Sequence, residues 1–206
     1  SITLSLGSRI RPAYPAGGEG CGHLSDIAKS LTMYSRASYP GELVGMEIPD
    51  LLDKAVKMAK FATVLDEVEV VRDYNPVPEI QADSGDLIQV FVNLIVNAAH
   101  AMKGRGRLTL ATHVEEGTIT VSIHDTGPGI PPEHRAKIFA PFFTTKQVDK
   151  GTGLGLYVVQ SLISKHGGRI SVESEEGKGT TFHIQFPIPS QARRALGCVA
   201  SPPVLI

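Results

Sequence analysis

Four polar residues, Gln89, Asn93, Asn97 and His100, are spaced four, four and three apart. At about 100 degrees per residue on a helix, this spacing gathers them on one narrow stripe. A solvated helix face is the bland explanation, but such faces are usually filled by Lys and Glu, and this stripe has neither. Two carboxamides one turn apart, Asn93 and Asn97, can instead offer carbonyl oxygens to a hard cation such as Mg2+ held between protein and phosphates.

A second group is Asp125 followed by Gly127, Gly129 and Ile130. The glycines would serve tight turns in any loop. That leaves the carboxylate unexplained. A partly buried Asp at a strand end can accept a hydrogen bond from an exocyclic amine such as adenine N6, and neighbouring glycines let a base approach the backbone. A third group is Gly151, Thr152, Gly153, Leu154, Gly155 and Leu156, a glycine-rich loop running into a helix. Backbone N–H groups and the positive helix end make an anion site there. The loop is not a P-loop, because no Gly-Lys-Ser/Thr follows, and it lacks the strand-turn-helix setting of a dinucleotide fingerprint. Residues 177–180, ending at Thr180, read alone as a hairpin turn. Between the second and third groups, Phe139, Phe142 and Phe143 precede Thr144, Thr145 and Lys146. Aromatics and a cation in a segment of low regularity can close over a ligand. The plainer reading is a surface loop pinned by its phenylalanines.

The elements that must position these groups follow from periodicity. Residues 87–102 form a helix with Leu87, Phe91, Leu94, Ile95 and Ala98 on its buried face. Residues 107–113 and 118–125 alternate and read as a hairpin. A short helix over 131–139 and a longer one over 153–166 flank the aromatic segment, and strands over 168–173 and 180–187 follow. Upstream, Leu24, Ile27, Leu31 and Tyr34 share one helix face. A second helix opens at Asp50 as N-cap, with Asp53 in its first turn and Leu51, Ala55, Met58 and Ala62 on its apolar face. Residues 68–74 read as a strand ended by Pro76 and Pro78. The mixed order implies an α+β fold: a two-layer α/β sandwich with a mixed or antiparallel sheet on one side and helices on the other.

Composition narrows the function classes. The chain has 206 residues, with 20 Lys plus Arg against 21 Asp plus Glu. No global charge favours nucleic acid or an anionic membrane. Cys21 and Cys198 show neither metal-ligand spacing nor a disulfide framework, which fits a reducing cytosol. The longest apolar run, 87–102, is too polar to span a bilayer, and no signal peptide is visible. A soluble, cytoplasmic stretch is expected, with a longer parent that is free to be anchored in the inner membrane. Residues 1–22 read as a flexible lead and 190–206 as a dispensable tail.

In this order, the motifs resemble the catalytic domain of sensor histidine kinases, within the ATPase superfamily that also contains gyrase, mismatch-repair and heat-shock chaperone ATPases. The likeness covers about residues 80–187. Residues 89–98 resemble the N box, 125–129 the first glycine box, 139–143 the F box, 151–156 the second glycine box and 177–180 the third. The resemblance implies a sandwich of about five strands with a mobile ATP lid over about 131–150. It implies ATP and Mg2+ as cofactors, with Asn93 and Asn97 catalytic and Asn97 the Mg2+ ligand. The nucleotide site would take Asn97, His100, Asp125, Gly127, Gly129 and Ile130. Phe142, Thr144, Thr145 and Lys146 would come from the lid, and Gly151, Thr152, Gly153, Leu154, Gly155, Leu156 and Thr180 would complete it. Residues 23–40 resemble the end of a dimerisation and phosphoacceptor hairpin, leaving 41–189 as the catalytic domain. Implied partners are a histidine-bearing dimerisation helix, a response-regulator receiver domain and, in the full-length protein, a second copy.

One departure matters. Family members carry the acceptor in a His-acid motif, and no such motif is present. His23 lacks the adjacent acid, and His113, His124, His134, His166 and His183 fall within the expected catalytic domain. The acceptor is therefore expected on another segment. A hydrolytic ATPase is the mechanistic rival, yet superfamily hydrolases place Glu one turn before the metal-binding Asn, where this chain has Asn93. A nucleotide-binding regulator without catalysis is the remaining alternative.

Overall fold

Alternation along Thr118–Asp125 directs Ile119, Val121, Ile123 and Asp125 to one side of a strand and Ser122 and His124 to the other. The same period repeats in neighbouring strands and builds a sheet with one apolar face. The computed structural model describes residues 43–62, 65, 67–145 and 152–188. The proposed lead, the hairpin remnant including His23, and the tail lie outside them.

In chain order the elements are β1 (Val44–Met46), α1 (Ile48–Ala62), β2 (Glu67–Tyr74), β3 (Ile80–Ala82), α2 (Ser84–Ala101), β4 (Arg105–Glu115), β5 (Thr118–Asp125), α3 (Pro132–Arg135), α4 (Gly155–Lys165), β6 (Arg169–Glu175) and β7 (Gly179–Pro187). Five strands form one sheet in the order β2-β4-β5-β7-β6, and β1 and β3 pair separately. The β2–β4 pairing is parallel and the others are antiparallel, so the sheet is mixed and mainly antiparallel. Helices α1, α2 and α4 cover its apolar face, and Leu52, Phe91, Leu94, Leu108, Ile123 and Leu162 are sealed between the layers. Burying such side chains contributes on the order of 2 kcal/mol each. The expected α+β two-layer sandwich is the observed one.

Local differences from the expected elements have identifiable causes. Helix α1 begins at Ile48, two residues before Asp50, because Pro49 lacks an N–H and suits a first helical turn. Asp50 then sits inside that turn, near the positive helix end. Met58 is 53% exposed, contrary to its expected place on the apolar face. The buried stripe centres on Ile48, Leu52, Ala55 and Ala59, which leaves Met58 at its edge. Asp53 faces β2: Arg72 Nε donates to its Oδ1 at 2.7 Å and the Tyr74 hydroxyl at 3.2 Å. The Arg72 hydrogen bond holds the Asp53 carboxyl below its usual range.

Helix α2 begins at Ser84, three residues before Leu87. Asp83 caps it, accepting the Gly85 N–H at 2.7 Å. Helix α3 is confined to Pro132–Arg135, and single i+3 turns at Lys137 and Ala140 replace its expected continuation. Helix α4 opens at Gly155 because Gly153, at φ +66°, leaves helical geometry.

Candidate functional site

The helices bring the C-terminal half of α2 and the N-terminus of α4 together over the end of β5. A cavity of about 460 Å³ opens there. On one side, α2 contributes Asn97 and His100, and β5 ends at Asp125. The following loop adds Gly129 and Ile130. Across from them lie Thr152, Gly153, Gly155 and Leu156, leading into α4, with Thr180 from β7 at the floor. Thr144 and Thr145 line the mouth. The three polar groups separated by dozens of residues in the sequence therefore share one concave space.

Asp125 is 4% exposed. Burial pushes its carboxyl above the usual aspartate range, opposed by hydrogen bonds from the Gly127 and Thr180 backbone N–H groups. The Gly127 bond is 2.8 Å long. A buried carboxylate held by backbone donors keeps acceptor capacity for a ligand amine. Gly179 has to be glycine here: at φ +111°, a β-carbon would overlap the Asp125 carbonyl oxygen.

On α2, Gln89, Asn93 and Asn97 are partly buried and His100 is exposed, so the stripe runs from the interior to the cavity. Asn97 and His100 reach the lining and Asn93 does not. The Asn93 Nδ2 and Gln89 Nε2 atoms are enclosed without hydrogen-bond partners. This stripe is thus no solvated face. Gly127 and Leu154 also stand behind the lining, Gly127 as the Asp125 donor and Leu154 as the residue preceding α4. Phe142, expected in the site, turns outward, 73% exposed at φ +64°, and Phe143 lines the wall in its place. Lys146 and Gly151 lie outside the described residues.

Sequence reasoning missed several wall residues: His134, Ile138, Phe143 and Phe182. The spacing of His134 and Ile138 was a usable signal, because residues four apart share a helical face. His134 packs edge-on against Phe143 at 5.5 Å between ring centroids. Three other histidines among the described residues are engaged elsewhere. His124 Nδ1 lies 2.9 Å from the Thr181 hydroxyl, His183 Nδ1 lies 2.9 Å from Ser122, and His166 Nε2 lies 3.0 Å from the buried Asp86.

A family model described as "Histidine kinase-, DNA gyrase B-, and HSP90-like ATPase" matches residues 82–190. The chain belongs to this family. It is similar to the sensor kinase CckA of Brucella abortus (strain 2308), 36% identical over 189 residues, covering 83% of this chain and 20% of that protein. It is also similar to the sensor histidine kinase ZraS of Salmonella typhi, 48% identical over 111 residues, covering 53% of this chain and 23% of that protein. Among solved structures, full-length ShkA in complex with AMPPNP superposes with a TM-score of 0.70 at 29% identity, covering 82% of this chain and 36% of that one. The chain thus spans about a fifth to a quarter of the length of these curated relatives. Membership of this family makes residues 82–190 an ATP-binding domain, and the relatives it resembles are named as sensor kinases. No helix among the described residues is long and apolar enough to cross a membrane.

Proposed function

We propose that the cavity is the ATP site and that the γ-phosphoryl of ATP passes from it to a histidine on a dimerisation helix, in two-component signalling. Asp125 accepts the adenine amine, and Gly129 and Ile130 border the base. The backbone around Gly153 and Gly155, at the N-terminus of α4, receives the phosphates. Thr144 and Thr145 belong to the lid that closes over them, and Thr152 lies in the loop on the other side. Partners expected from this reading are the histidine-bearing helix, a response-regulator receiver domain and a second copy of the parent protein.

Mg2+ fits this donor set. Among the described residues no cluster of three or more His, Cys, Asp or Glu could hold a metal unaided. Mg2+ commonly takes few protein ligands and fills its shell with phosphates and water, so a single carboxamide oxygen from Asn97 suits it. When bound, it would neutralise phosphate charge.

One observation favours transfer over hydrolysis. The position one turn before Asn97 holds Asn93, which cannot take a proton at neutral pH. Asp125 is the one carboxylate among the described lining residues, and backbone donors already engage it. Among the described residues, water entering the site therefore meets no positioned carboxylate base near the phosphate end.

The test is incubation with γ-labelled ATP and a histidine-bearing dimerisation hairpin supplied in trans. Label on the hairpin histidine, exceeding release of free phosphate, is the expected result. ATP binding without any labelled histidine would overturn the transfer reading in favour of a nucleotide-binding regulator.

A further inference from the structure

We infer that Ser174, a β6 residue behind the cavity wall, sets the hydrogen-bonding sense of Thr180 and thereby makes the site prefer a purine amine to a purine carbonyl. The inference rests on the reading of the cavity as a nucleotide site.

Three contacts converge on one hydroxyl. Ser174 Oγ donates to the Gly179 carbonyl at 2.9 Å, accepts the Ile130 N–H at 2.8 Å, and lies 3.1 Å from the Thr180 hydroxyl. A serine hydroxyl carries one proton. That proton is committed to Gly179, so the contact with Thr180 is satisfied only if Thr180 donates. Thr180 is 5% exposed and lines the cavity. With its proton turned back towards Ser174, the hydroxyl has only lone pairs to offer on the cavity side.

Asp125 is the cross-strand partner of Thr180 in the β5–β7 ladder. The Gly127 backbone N–H donates to its carboxylate at 2.8 Å, and an ionised carboxylate has no proton of its own to offer. Asp125 and Thr180 consequently offer the ligand two adjacent acceptors and no donor. An exocyclic amine brings two hydrogens to such an edge. A carbonyl at the same ring position would set oxygen against oxygen with both sides desolvated, which is the costly mismatch. The same serine also fixes the loop that carries Ile130, whose carbonyl accepts Arg135 Nε at 3.0 Å.

A purely structural serine would tie the β6–β7 turn to the Asp125 loop and nothing more. The two roles separate in one experiment on the 206-residue chain. Dissociation constants for ATP and GTP are measured for the unaltered chain, Ser174→Ala and Ser174→Thr, with melting temperatures in the absence of nucleotide. Without the serine oxygen, Thr180 is free to turn its proton into the cavity and donate to a carbonyl. The expected result is a fall of roughly tenfold in the GTP-to-ATP ratio of dissociation constants for Ser174→Ala. Ser174→Thr, which keeps the hydroxyl, should restore the ratio towards that of the unaltered chain.

A lower melting temperature with both constants raised by the same factor overturns the inference and leaves a structural serine. Equal loss of discrimination in both variants also overturns it. If Ser174→Ala does not fold, Thr180→Val decides: it removes the acceptor but spares the bonds from Ser174 to Ile130 and Gly179, so an unchanged ratio overturns the inference. An unaltered chain that binds ATP and GTP equally well overturns it while the nucleotide pocket stands. A chain that binds neither overturns the pocket reading, and this inference with it.

Discussion

The backbone of Phe142 lies directly against Gly153, so closely that a β-carbon at Gly153 would overlap the Phe142 carbonyl carbon. Both residues have positive φ, +64° at Phe142 and +66° at Gly153. The aromatic segment and the glycine loop therefore meet backbone to backbone at the mouth of the cavity, in a geometry that only a missing side chain permits. Gly153→Ala should push the two segments apart and deform the phosphate end. The expected outcome is at least a tenfold loss of ATP affinity by calorimetry, with modest change in melting temperature. Affinity equal to that of the unaltered chain would mean that this contact does not shape the site.

Asp125 gives a pH prediction whose sign follows from its burial. Its carboxyl is raised above the ordinary value of 3.8, because desolvation disfavours the charged form. A carboxyl with a raised folded-state value stabilises the fold fully below the unfolded value, and that contribution is lost as pH rises through the folded value. At neutral pH the ionised group therefore costs stability, and Asp125→Asn should melt higher than the unaltered chain in the absence of nucleotide. The same change should weaken ATP binding, since the carboxylate is the amine acceptor. For the unaltered chain, ATP affinity should fall on acidification, beginning above the ordinary aspartate range. Pairing melting curves with ATP titrations at several pH values checks both signs. A variant that melts lower yet binds ATP normally would remove Asp125 from the role given to it.

The polar groups were legible in the sequence because their spacing is local. Asn97, Asp125 and Gly153 each sit in a short motif whose periodicity or turn chemistry points to a helix face, a strand end or a loop. Less legible was what closes the space between them. Phe143 rather than Phe142 forms the wall because the backbone reverses at Phe142, and composition does not reveal which of two adjacent phenylalanines will carry a positive φ. Ser174 was invisible for another reason: its partners, Ile130 and Thr180, are brought to it by the β6–β7 hairpin packing on the Asp125 loop. The pairing of Val44–Met46 with Ile80–Ala82 escaped because three residues are too few to show alternation. Asp83 is different. Its capping pattern was present in the sequence and would have set the true start of α2.

Asp86 links the far ends of the two helices whose near ends build the site. Its Oδ2 lies 2.9 Å from Lys165 Nζ and 3.0 Å from His166 Nε2, in the first turn of α2 and at the end of α4. Each group also opposes the helix dipole beside it. The Asp86 side chain is 8% exposed and the His166 ring 2%, whereas Lys165 is 30% exposed and partly screened. Removing the shared carboxylate leaves the buried imidazole without this acceptor, so Asp86→Ala should lower stability by roughly 3 kcal/mol in chemical denaturation. A loss below about 0.5 kcal/mol would place the triad with ordinary surface ion pairs.

Asn97 tests the metal assignment separately from the base assignment. Its carboxamide lines the cavity on α2, opposite the N-terminus of α4 where phosphates are proposed to sit. Asn97→Asp preserves shape and the oxygen donor but adds a negative charge facing the phosphates. Without Mg2+ that charge repels ATP, and with Mg2+ the carboxylate becomes a stronger hard-oxygen ligand. ATP affinity of the variant should therefore be lower than that of the unaltered chain in a chelator and recover steeply as Mg2+ is added. Base discrimination should not move, because Asp125 and Thr180 are untouched. Titration of ATP across a Mg2+ series reads both. If the two proteins respond to Mg2+ identically, Asn97 is not the metal ligand; if discrimination shifts as well, the variant has disturbed the base end, and the separation of the pocket into an amine-reading end and a phosphate end does not hold.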